Sequence, residues 1–114
     1  MFEIKIITDK IGLEELKKIA ENNYGDMVKA VVDVNQEVVA VGGEWHADAE
    51  KILLENGSRQ EDLWGINLYP QELAEKMIEY NSLINIRPKA GNRKADIELP
   101  KIREKISRII FKLI

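Results

Sequence analysis

The sequence contains no cysteine and only one histidine in 114 residues. Disulfides, thiolate metal centres and cysteine nucleophiles are therefore excluded. A single imidazole would leave a metal to carboxylate ligands, a poor set for zinc, so neither a metal nor a cofactor is expected. No apolar run is long enough to span a bilayer. The start, Met1-Phe2-Glu3-Ile4-Lys5-Ile6-Ile7, carries an acid inside its short apolar stretch and lacks a signal-peptide pattern. A cytoplasmic protein is expected. Phosphate-binding glycine motifs of the usual kinds are missing, and so is the aromatic strand signature of RNA-binding domains. Linkers and low-complexity tracts are also absent.

What is present fits one domain over residues 1–114. Hydrophobic residues make up 45% of the chain and charged residues 32%, a balance that predicts a packed core and not a disordered chain. The net charge of -3 hides an asymmetry. Residues 1–86 hold 8 Lys/Arg against 17 Asp/Glu, net -9, and residues 87–114 hold 9 against 3, net +6. A basic end of this kind packs over an acidic body or meets an anionic partner. The first reading is preferred, because nucleic-acid binders are usually basic as whole domains.

Residues Phe2 to Thr8 read as a strand, followed by a helix near 13–24 that Gly12 opens and Gly25 closes. Met27 to Val34 and Glu37 to Val41 form two strands joined through Asn35-Gln36. Both are apolar on both faces, which places them at the centre of a sheet or against a partner subunit. A helix is expected at 47–56, with Asp48 and Glu50 suiting its positive end. Asp62 to Tyr69 and Asn81 to Arg87 read as strands flanking a helix at 71–79, and a last helix runs over 99–113. Ile66-Asn67-Leu68-Tyr69-Pro70 is echoed by Ile84-Asn85-Ile86-Arg87-Pro88. Trp45 and Trp64 are assigned to the core. The expected fold is α+β, a two-layer sandwich of about five mostly antiparallel strands in the order β-α-β-β-α-β-α-β-α.

Four strings carry a resemblance: Asp26-Met27-Val28-Lys29-Ala30-Val31-Val32-Asp33, Gly42-Gly43-Glu44-Trp45-His46-Ala47-Asp48, Leu63-Trp64-Gly65-Ile66-Asn67-Leu68-Tyr69-Pro70 and Ile84-Asn85-Ile86-Arg87-Pro88, with Gly91-Asn92-Arg93 beyond. Together they resemble a family of small prokaryotic proteins catalogued only as a domain of unknown function. The resemblance covers nearly the whole chain and brings no catalytic residues with it. Gly12 departs from the pattern by standing where serine is expected as helix cap.

The candidate site centres on residues 38–48, where a buried strand ends at Gly42-Gly43 and the sole histidine follows. His46 is the natural acid/base group near neutral pH, and Glu44 is its candidate orienting carboxylate or base. Arg87, Asn92 and Arg93 form a candidate anion fork beside a glycine-containing loop. Asn67 and Asn85 sit in expected strands, where asparagine is depleted, and either lock loops or line a cleft with Tyr69. His46, Glu44 and the Arg87–Arg93 segment are expected to converge on one cleft. The leading reading is binding, with or without turnover, of a small anionic ligand. The alternative is a homodimeric interaction module, to which Phe111 and the doubly apolar hairpin point. Nucleic-acid binding through the basic final helix ranks last.

Overall fold

Alternating side chains in an extended segment point to opposite faces, so strands that are apolar at every position need cover on both sides. A computed structural model, which describes residues 2–114, supplies that cover within one chain. The five strands are β1 (Ile4–Ile7), β2 (Val28–Asp33), β3 (Val38–Gly42), β4 (Leu63–Leu68) and β5 (Ile78–Glu79). They lie in the order β1-β3-β2-β4-β5 with every neighbouring pair antiparallel. The helices are α1 (Leu13–Glu21), α2 (His46–Glu55) and α3 (Pro100–Leu113). The α+β class, the five antiparallel strands and the order of elements agree with the sequence reading.

The two apolar strands are interior, as expected. Val28, Ala30 and Val32 of β2 join Val39, Val41 and Ile66 in a core that α1 and α3 close with Leu16, Ala20, Ile106 and Ile109. Val31, Ala40 and Leu63 face the other way, onto Ala49 and Leu53 of α2. Helices thus cover both faces, one layer more than the two-layer picture. The hairpin between β2 and β3 is held by Asp33, whose buried carboxylate accepts the Asn35 and Gln36 N–H groups and the Ser58 hydroxyl.

Two segments differ in detail. The helix expected at 71–79 is only a 3₁₀ turn, Ala74–Met77, that runs directly into β5. Ala74, the first residue of that turn, takes a left-handed φ of 48°, which keeps 71–79 from winding as one right-handed helix, and the Met77 carbonyl accepts from Tyr69 N–H to start the pairing with β4. The strand expected over 81–87 does not join the sheet. Ser82 N–H donates to the Ala95 carbonyl and Ile97 N–H to the Tyr80 carbonyl, and 3₁₀ turns follow at Leu83–Asn85 and Pro88–Ala90. The two tryptophans also part company. Trp64 is core at 3% exposure, whereas Trp45 is 62% exposed, a correction to the sequence reading. Trp45 sits at the N-cap, outside α2, and the next residue takes the inward position. Phe111 stays partly exposed on α3.

Candidate functional site: the recess at the start of helix α2

Cross-strand register builds the floor of the site. Lys29 of β2 lies opposite Asn67 of β4, and Asn67 lies opposite Glu79 of β5. By strand alternation this row occupies the α2 face, two positions along from Val31 and Gly65. His46, the first residue of α2, closes over it. The helix starts there because the Asp48 carboxylate accepts Trp45 N–H, and Asp48 N–H returns to the Trp45 carbonyl. Lys29, His46, Asn67, Asn81 and Ser82 line a recess of about 390 Å³ whose apolar walls include Leu83 and Trp45. That volume is within the range of small-molecule sites.

His46 is buried, and its Nε2 lies 2.8 Å from the Ile66 carbonyl oxygen. A carbonyl only accepts, so Nε2 carries the proton and donates, leaving Nδ1 as the free basic nitrogen. Burial lowers the His46 pKa from 6.5. The Ile66 hydrogen bond and Asn67 oppose that shift, and Lys29 adds to it. The folded protein therefore holds a neutral imidazole. The unfolded chain takes up a proton at this histidine at higher pH than the folded one. Stability should then be flat above about pH 6.5 and fall as pH drops from there toward the lower folded value, by at most about 1.4 kcal/mol per pH unit. Urea denaturation across this window should show the slope in the parent and a shallower one in His46→Gln; equal slopes would remove His46 as the cause.

His46, Glu44 and Arg87 do not converge on one cleft; of the candidate site residues, the structure brings His46 and Asn67 together. Tyr69 is close by, its hydroxyl 3.5 Å from the Glu79 carboxylate that also holds Asn67, and burial with the Glu79 charge raises its pKa. Glu44 is exposed and lines a separate shallow depression with Phe2, Gly43 and Asp48. The strand does not continue past the glycines, so Glu44 and His46 share no face. Arg87 lies on the same side as His46 but across Leu83 and Ile84, in a neighbouring open depression. Its guanidinium meets Glu50 of α2 at 3.3 Å and stacks 5.1 Å over the Trp64 ring. Arg93 makes its contact through the backbone, its N–H donating to Glu98.

Asn85 and Asn92 are both fully buried and bonded to backbone. Asn85 Oδ1 accepts Gly65 N–H, and its Nδ2 donates to the Gly65 and Ala95 carbonyls. Asn92 Nδ2 faces the Asn85, Lys94 and Asp96 carbonyls, and its Oδ1 accepts Glu98 N–H. These two asparagines lock the wall of the recess. Sequence reasoning missed Lys29, Asn81 and Ser82. Lys29 did carry a signal, as the one cation inside a mostly apolar central strand. On the basic helix, Arg103 donates to the Ile97 carbonyl and Lys112 pairs with Glu37. Among the described residues, no group of three His, Asp or Glu is placed to hold a metal, and no helix is long and apolar enough to cross a membrane.

Fold and recess together define a small α+β domain with a buried histidine beside a lysine. Residues 5–113 match the family described as "Protein of unknown function (DUF5674)", and the chain belongs to that family. No curated protein and no solved structure matches it.

Proposed function

We propose that this domain binds a small anionic ligand in the recess at the start of α2. The observation that carries the reading is that Lys29, whose ammonium lies 5.5 Å over the Tyr24 ring, lines a recess of ligand size together with a buried His46. In this reading Lys29 holds the negative charge, and the free Nδ1 of His46 accepts a proton or a hydrogen bond. Arg87 drops out of the binding set, because Glu50 already takes its charge. Asp48 offsets the positive end of the helix, which leaves Lys29 as the cation lining the site.

The experiment is an NMR titration of labelled protein with acetate and with inorganic phosphate. Lys29→Met and His46→Ala should each weaken binding about ten- to a hundredfold, the effect of losing one charge-assisted hydrogen bond. Arg87→Ala should leave the affinity unchanged. Undiminished binding in Lys29→Met would refute the reading. A self-associating module is the second reading. It is favoured by exposed Trp45, Leu83 and Ile86 around the two adjacent depressions. Sedimentation of the same samples separates the two, since a dimer that buries this surface would also block the titration.

A further inference from the structure

One buried atom of the recess, Asn67 Oδ1, is an acceptor with no donor. Asn67 Nδ2 lies 2.7 Å from the Glu79 carboxylate and 3.3 Å from the Asn81 carbonyl. Both partners only accept, so the orientation of the amide is settled and Oδ1 faces away from them. Oδ1 is buried without a partner among the described residues, on a side chain that is 6% exposed. Beside it, the His46 ring commits Nε2–H to the Ile66 carbonyl. Buried polar atoms are nearly always paired.

We infer that the ligand of this recess is an α-amino or α-hydroxy acid with an apolar side chain. The inference rests on the anion-binding reading and specifies it. Lys29 and Asn67 are direct partners on adjacent strands, so their Cα atoms are about 4.5–5.5 Å apart. A carboxylate on the Lys29 ammonium, which lies 5.5 Å over the Tyr24 ring, then directs its α-substituent along the recess toward Asn67 Oδ1 and the imidazole. An anion with no donor would satisfy Lys29 and leave Asn67 Oδ1 facing carbon, the penalised arrangement. Trp45, Leu83 and Ile84 supply apolar wall for the side chain.

Three acids on one carbon skeleton test this: L-leucine, 2-hydroxy-4-methylpentanoate and 4-methylpentanoate, each titrated into labelled protein near neutral pH. The amino or the hydroxy acid should bind at least about tenfold tighter than the unsubstituted acid, moving the Asn67 side-chain amide and His46 ring signals. Whichever is tighter identifies the donor as ammonium or hydroxyl. Equal affinity for all three overturns the inference and leaves anion binding standing. So does binding of acetate or phosphate with none of the three. If no anion moves the Lys29 or His46 signals, both readings fall.

Discussion

Asn85→Ala should cost about 3–5 kcal/mol of stability, a large part of what a domain this size has. The side chain stands in for a missing strand. The free edge of β4 at Gly65 presents an N–H and a C=O that β5 is too short to reach, and the Asn85 amide pairs with both, at 2.8 Å and 2.9 Å. Its second donor hydrogen reaches the Ala95 carbonyl at 3.0 Å. Truncation leaves two buried backbone groups unpaired, the Gly65 N–H and C=O, each worth about 1–3 kcal/mol, while the Ala95 carbonyl keeps the Ser82 N–H. Asn85→Asp should fare no better, since it keeps the acceptor for Gly65 N–H but turns a carboxylate toward two carbonyls. Urea denaturation at unchanged slope measures the loss. A cost below about 1 kcal/mol would show that the β4 edge does not need this amide.

The same residue marks where the sequence stops being legible. Doubly apolar β2 and β3 could only be interior strands, and the order of elements followed from apolar periodicity and glycine stops. Side chains that replace backbone leave no periodic trace. The segment 81–87 has strand composition, yet its pairing is made by an asparagine amide and by residues 95–97. The echo of Ile66-Asn67 in Ile84-Asn85 is a pair of reciprocal ties: Asn67 reaches Glu79 and Asn81, and Asn85 reaches back to Gly65. Their rarity in strands flagged both residues; which one bordered a recess depended on register. His46 was identifiable by its chemistry and its place after a strand end. Its cation was not, because Lys29 meets it only through the pairing of β2 with β4. The arginine fork fails for a local reason, since Glu50 lies one helical turn beyond His46 and takes the Arg87 guanidinium.

Gly42→Ala should cost about 3–5 kcal/mol, against about 1–2 kcal/mol for Gly57→Ala. Both glycines have left-handed backbones, with φ of 114° and 97°, so both substitutions strain the chain. Their surroundings set them apart. A Cβ at Gly57 meets nothing within 4 Å, and only the strain remains. A Cβ at Gly42 would fall far inside van der Waals contact with the Glu3 carbonyl oxygen, which is backbone and cannot rotate aside. Gly42 pairs with Ile4 at the end of the β1–β3 ladder, so relief requires β1 to lift from the sheet edge. That exposes Ile4 and Ile6, which cover the α2-side core. Hydrogen exchange should speed up at the β1 amides in Gly42→Ala and stay slow in β2 and β4. His46 is anchored to β4 through Ile66 and not to β1, so whatever anion the parent binds should bind the folded variant with nearly parent affinity. If Gly42→Ala costs no more than Gly57→Ala, close backbone approach is not what requires glycine at the end of β3.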